Sequence, residues 1–292
     1  MAPESEIRTA GGFWLIDYVD DAQALVKAMF NDFRFRERVR LSGVNSINWG
    51  RIVAQIVYYF VAAVALGAPY RKVSFTVPTG NFGNVFAGYA AKRMGLPIEI
   101  LVVATNVNDI LHRVLSTGRY AVTGVTATAS PSMDIQISSN FERLLFEAEE
   151  RDAGAVRRLM SGLGQSGAFT IGETAQASLT SDFASGSADE AATSAAIART
   201  LDRAGLVVDP HTAVGIAVAE RHLGAAPMVT LATAHPAKFP KAVEAACGIR
   251  PSLPDWAQPI LLGEELYQVL PVELAAVEQA VEARSRAVTA VA

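Results

Sequence analysis

The sequence predicts an α/β fold: an open, mainly parallel, twisted sheet with helices on its faces. Val73–Val77 is a short β-branched strand, followed by a Gly/Asn turn, a helical stretch to Met94 and a second apolar strand, Ile98–Ala104. Strand, helix and strand joined this tightly form a βαβ unit, whose strands run parallel. A further apolar strand, Met228–Ala232, follows another helical segment downstream. At 292 residues and 51% hydrophobic content, the chain has ample material for a core.

Met1–Ala10 is polar and lacks the apolar core of a secretory signal. Phe13–Ile16 is an apolar run that, as a strand, requires a partner. Asp20–Phe30 fits a helix capped by Asp20 or Asp21, with Ala24, Leu25, Ala28 and Met29 on one face. Asp32–Arg40 interleaves arginines with Phe33 and Phe35. That pattern suits either nucleic acid or a solvated, partly packed face, and a net charge of −4 argues against nucleic acid and anionic membranes.

Asn45-Ser46 reads as a helix start, with Arg51 within two turns, near enough to share an anion with the helix N-terminus. An arginine fork suits phosphate; a capping serine beside a solvent-facing arginine is the alternative. Ile52–Leu66 is apolar but short of a membrane span and carries Gln55, so it reads as a buried helix.

Pro78 ends the first strand of the βαβ unit because it cannot donate to the ladder. Gly80-Asn81-Phe82-Gly83-Asn84 tolerates positive φ and stands at a helix N-terminus with unpaired backbone N–H groups. Such a turn binds phosphate well. It is neither G-x-G-x-x-G nor a P-loop, and an ordinary strand-to-helix connection stays open on pattern alone. Gly95 occupies the place of a C′ glycine, with Pro97 beyond. Ligands of parallel sheets gather at the strands' carboxyl ends, where this turn lies.

Asn106–Leu115 follows as a helix capped by Asn106 or Asn108, with His112 in a structural role. Ala127–Asn140 is a polar loop in which Asp134 reads as a turn former or a general base, and Ser139 or Asn140 caps Phe141–Glu150. Asp152–Gly162 and Ala191–Ala204 look helical; Ser178–Ser194, rich in Ser and Ala, looks like a surface loop running into a helix. Val207-Val208 is a strand remnant before Asp209-Pro210-His211 and a helix to Glu220. Thr233–Phe239 follows the carboxyl end of the Met228 strand, and Val272–Val288 is an amphipathic helix. Cys247, the single cysteine, forms no internal disulfide and fits a reducing cytoplasm; the four histidines show no close metal spacing, so no metal is expected.

From about Asp20 onward the sequence resembles the carboxyl-terminal part of threonine synthase of the longer, fungal and proteobacterial kind. V-N-S-I-N-W-G-R, P-T-G-N-F-G-N, S-P-S-M-D-I-Q-I-S-S-N-F-E-R and T-A-H-P-A-K-F carry the resemblance, helped by D-P-H-T-A-V-G. It implies the tryptophan synthase β-like fold of pyridoxal phosphate (PLP) enzymes, in incomplete form, with residues 1–19 unmatched, 20–250 as the cofactor-binding domain and 251–292 as its helical extension. It implies that Gly80, Asn81, Phe82, Gly83 and Asn84 hold the PLP phosphate and that Thr233 bonds the pyridine nitrogen. Asn45, Ser46 and Arg51 match the pattern that grips the phosphate of O-phosphohomoserine, which the family converts with water to threonine and phosphate.

The family's Schiff-base lysine lies well over a hundred residues before the phosphate loop, whereas 79 residues precede Gly80 here. None of Lys27, Lys72, Lys92, Lys238 and Lys241 stands in its Phe-Lys-Asp context, so no catalytic lysine is expected in this chain. The expectation is a chain inactive alone, paired with a missing amino-terminal half or an intact enzyme. A non-catalytic paralogue that binds PLP or phosphohomoserine, and a serine/threonine dehydratase-like lyase, are the other readings.

Overall fold

The computed structural model describes residues 7–10, 13–16, 19–43, 45–259, 263–264 and 268–289. They divide into a smaller unit, Met1–Gly43 with Leu253–Ala292, and a larger one, Val44–Ser252. Residues 20–43, expected with the main domain, thus group with the carboxyl-terminal segment.

In the smaller unit, β1 (Ile7–Ala10) pairs antiparallel with β2 (Phe13–Ile16), which gives the apolar run its partner. Helices α1 (Val19–Asn31) and α2 (Phe33–Val39) follow. Asp32 caps α2 by accepting the N–H groups of Arg34 at 2.9 Å and Phe35 at 3.0 Å. The arginine-aromatic stretch is this short amphipathic helix: Phe35 and Val39 pack with Met29, Leu270, Val277 and Ala280, while Arg38 pairs with Glu282. The single helix expected over 272–288 is two, Leu274–Arg284 and Arg286–Thr289, parted at Ser285.

The larger unit opens with α3 (Trp49–Ala65), β3 (Val73–Pro78), α4 (Gly83–Arg93) and β4 (Ile98–Thr105). It continues through α5 (Ile110–Thr117), β5 (Arg119–Ala121), α6 (Phe141–Ala148), α7 (Ala153–Ser166), β6 (Ala168–Thr170) and α8 (Glu173–Asp182). Then come β7 (Phe183–Ser187), α9 (Glu190–Ala204), α10 (Pro210–Ala219), β8 (Met228–Thr230) and α11 (Pro240–Cys247). Four strands form one sheet in the order β7-β4-β3-β8, every neighbouring pair parallel. β5 and β6 make a small antiparallel ribbon.

Side chains alternate across a strand, and β4 uses both sides. Leu101 and Val103 join one core cluster with Tyr59, Phe75 and Val85, while Val102 and Ala104 join the other with Ile197, Val214 and Val218. Helices therefore cover both faces, and β3, buried throughout, reads as the continuous apolar run of such a sheet. Each fully buried Phe or Leu here contributes about 1.5–3 kcal/mol.

Four local expectations change. Residues 178–194 are the end of α8, the strand β7 and the start of α9. β7 forms because Phe183 is buried and Phe183–Ser187 pairs in register with Leu101–Thr105; tertiary pairing overrides a Ser-rich composition. The helix expected from Asn106 starts at Ile110, because the Asn106 side-chain Oδ1 accepts the Asn108 N–H at 2.9 Å, an Asx turn instead of a cap. α3 is capped by Asn48, whose Oδ1 accepts the Gly50 N–H at 2.8 Å, not by Asn45-Ser46. Val207-Val208 is not a strand; Asp209 caps α10, accepting the His211 N–H at 2.8 Å.

Candidate functional site

β3 ends at Pro78, and the next residue continues the ladder: the Thr79 N–H donates to the Ala104 carbonyl at 2.8 Å. The chain then turns into α4. The positive φ falls on Phe82 (63°) and not on either glycine of the turn. A non-glycine residue adopts that conformation at a cost of about 1–3 kcal/mol, and packing compensates here: Phe82 is buried, edge-on to Phe141 at 5.4 Å and near Phe183 at 6.1 Å. Gly80 is glycine for a different reason. A Cβ there would collide with the backbone carbonyl oxygen of Ser132, in the loop before α6.

That loop also takes up the turn's acceptors. The Ser138 hydroxyl donates to the Gly80 carbonyl at 2.8 Å, and the Asn140 N–H (3.1 Å) and Nδ2 (2.9 Å) donate to that of Asn81. The N–H groups of Gly80, Asn81, Phe82 and Gly83 have no acceptor among the described residues. With carbonyls satisfied and N–H groups free at the start of an 11-residue helix, this is the arrangement that holds an anion.

Asn140 does more than the cap expected of it, and its side chain makes no capping bond. Fully buried, its amide also donates to the Ser46 carbonyl at 2.9 Å, so one side chain ties the turn before α3 to the turn before α4. Asp134, in the same loop, accepts from Asn106 at 2.7 Å, Asn108 at 2.9 Å and both the N–H and hydroxyl of Thr128. Its carboxylate organises the loop, as a turn former does.

A cavity of about 260 Å³ opens between these elements. Ser46, Arg51, Gly80, Asn81, Phe82, Gly83, Asn84 and Thr233 all line it; Asn45 does not. Asn45 is exposed, and its Oδ1 accepts the Ile47 N–H at 3.2 Å, which shapes the turn. Among the described residues that line the cavity there is no carboxylate, and two, Arg51 and Lys238, are cations.

Gln55, His211, Ser132, Lys238 and Phe239 line it too, and sequence reasoning gave none of them a role in the site. Gln55 lies one turn beyond Arg51 on α3, and its Oε1 is buried without a partner among the described residues. The His211 ring lies tilted against that of Phe239, 4.8 Å between ring centres and 53° between planes. The Ser132 N–H points at His211 Nε2 (3.2 Å), so that nitrogen accepts and the ring hydrogen sits on Nδ1, donated to Asp209 at 2.9 Å. Burial pushes the Asp209 carboxyl up, but hydrogen bonds from His211 and Thr212 outweigh it and hold the group below the usual carboxylate range. The Thr212 hydroxyl in turn accepts the Thr233 N–H at 3.3 Å. A signal for this chain of contacts was present in D-P-H-T, an Asx cap with two donors close behind.

Residues 212–281 match the family model described as threonine synthase, C-terminal. The chain is 49% identical over 262 residues to a threonine synthase of Pseudomonas aeruginosa, covering 89% of this chain and 56% of that protein. To that of Saccharomyces cerevisiae it is 42% identical over 248 residues, 78% of this chain and 48% of the other. In three dimensions it is similar to the crystal structure of PLP-bound threonine synthase from Brucella melitensis, with a TM-score of 0.87 and 59% identity over 91% of this chain and 58% of that one. The yeast enzyme's structure gives a TM-score of 0.79 at 37% identity, over 90% and 57%. The chain spans about half the length of these relatives, 48–58% of each. In sequence and in fold it corresponds to the carboxyl-terminal part of threonine synthases.

Proposed function

We propose that this chain carries the phosphate end of a PLP site and the phosphate grip for O-phosphohomoserine, in the conversion of that substrate and water to threonine and phosphate. One observation carries the reading: a helix start with free N–H groups, an arginine, a serine and a hydroxyl residue surround one cavity that no carboxylate lines among the described residues. Gly80–Asn84 would hold the cofactor's phosphate and Thr233 would face its ring nitrogen. A neutral hydroxyl there suits a ring that need not be fully protonated. When bound, the cofactor supplies the electron sink that makes protons on carbons near the amino group removable.

The chain's own residues bind and orient. Ser46 and Arg51 would take the substrate phosphate; the guanidinium would offset charge on it as it leaves. Asn45 supports the turn that presents Ser46. The resemblance assigns the proton transfers to the amine of the Schiff-base lysine, and the lysines here do not offer it. Lys72 pairs with Glu99 and Lys92 with Asp182, each at 2.7 Å. Lys238 lines the cavity but belongs to the H-P-A-K-F block. The isolated chain should therefore bind without turnover, and the single cysteine fits a cytoplasmic site of action.

Borohydride reduction of the chain mixed with PLP, followed by peptide mapping, tests this. The expected result is reversible PLP binding that competes with inorganic phosphate and leaves no stoichiometric lysine adduct. A stable adduct on Lys238 would overturn the inactivity, and no competition by phosphate would overturn the site.

A further inference from the structure

Helix α3 has one charged residue in seventeen positions, Arg51, and that one lines the cavity. Helices this apolar all round are found buried, and the sequence reading expects the same. The structure buries only one side: Ile52, Tyr59 and Ala63 are covered completely. Tyr59 fixes α3 against α4 by donating its hydroxyl to the Asn84 carbonyl at 2.5 Å. The opposite side carries Val53, Val57, Val61 and Val64, spaced four, four and three apart, with Tyr58 beside them; Val61 is 64% exposed and Val64 61%. Single exposed apolar residues need no explanation, but a continuous stripe the length of a helix does.

The position of the stripe limits what covers it. Arg51 and Gln55 form a wall of the cavity from the same helix that presents the valines. A body seated on the valines is therefore within a helix diameter of the cavity. The threonine synthases that this chain matches are longer by nearly half their length, the chain covering 56% of the Pseudomonas protein and 58% of the Brucella one.

We infer that the exposed stripe of α3 is the seat of the amino-terminal part of the threonine synthase fold, the part those relatives carry beyond the region matched here. This rests on the reading that the chain works with an amino-terminal part supplying what its own lysines do not. The interaction is apolar and uncharged along the stripe, so its strength should rise, not fall, with salt.

The test is co-expression of this chain with the amino-terminal part of the Pseudomonas aeruginosa threonine synthase, up to where the match begins. A one-to-one complex is expected on size exclusion. The Val57→Asp/Val61→Asp variant should weaken it at least tenfold while PLP binding by the isolated variant stays within twofold of the parent chain. Tyr58→Ser/Val61→Thr, a milder pair, should weaken it less, and both variants should melt like the parent because these side chains touch solvent. No complex, or one indifferent to both variants, overturns the inference. So does a dimer of this chain that the same variants abolish, since a second copy would then occupy the stripe. If PLP fails to bind but the complex forms and responds to the variants, the site reading falls and the surface stands.

Discussion

At the Gly80 end of the cavity the polar groups of the turn are held from behind: Ser138 and Asn140 bond its carbonyls, and Phe82 is locked between two aromatic rings. At the other end Thr233 and Lys238 are exposed, and Thr233 itself is held by one long bond to Thr212. The difference separates a preorganised binding surface from one still open. A phosphate meets N–H groups already in place and costs little ordering, whereas a ring or substrate reaching the Thr233 end meets a wall that has yet to be closed over.

Substitution at the rigid end should therefore do the most damage. Gly80→Ala drives a methyl group into the Ser132 carbonyl, with no flexible side chain to yield. We expect it to lower stability by about 1–3 kcal/mol and to weaken PLP binding by roughly a hundredfold, read by thermal melts and fluorescence titration. A titration within threefold of the parent would show that the turn is not rigid. Asn140→Ala removes a buried amide from two carbonyls at once, a loss of about 1–3 kcal/mol, and both PLP and O-phosphohomoserine affinity should fall with it. If one ligand's affinity falls and the other's does not, the two turns are not coupled.

Asp209→Asn acts behind the open end. The Asp209 carboxyl is held below the usual range in the fold, burial being outweighed by bonds from His211 and Thr212. Its contribution is therefore present above about pH 4 and is lost as pH falls through the lower, folded value. The variant should lose stability near neutral pH by about 1–2 kcal/mol and show a flatter acid limb in melts run from pH 7 to pH 3. An unchanged limb would remove Asp209 from the account. Smallest of all, Thr233→Val should leave inorganic phosphate binding within about twofold, because its hydroxyl stands at the end away from the N–H groups. A larger effect would mean that the two ends are not distinct.

Much of this was legible where a residue type answers a local need. The strand ending at Pro78, the helix closed at Gly95 with φ 101° and the parallel strand after it follow from short-range chemistry. So does the Gly/Asn turn at a helix start. What the sequence hides is set by distant neighbours. Phe82 takes the left-handed conformation because Phe141 and Phe183 surround it, a conformation that local preference would assign to a glycine. β7 is invisible in F-A-S-G-S because its strand character comes from the edge of β4. Asn140 looks like a helix cap, and only the fold shows the two carbonyls, 59 and 94 residues earlier in the chain, that claim its amide.

That shared amide also sets a length. The backbone before α3 and the backbone before α4 hang from the two hydrogens of one nitrogen, so the gap between them is a fixed gauge. On the proposed reading one segment seats the cofactor's phosphate and the other the substrate's, and the spacing would admit a substrate long enough to reach the Ser46 seat from the cofactor and leave the phosphate of a shorter amino acid short of it. Selectivity for chain length would then reside in main-chain geometry, which exchanging the side chains that touch the ligand would not erase.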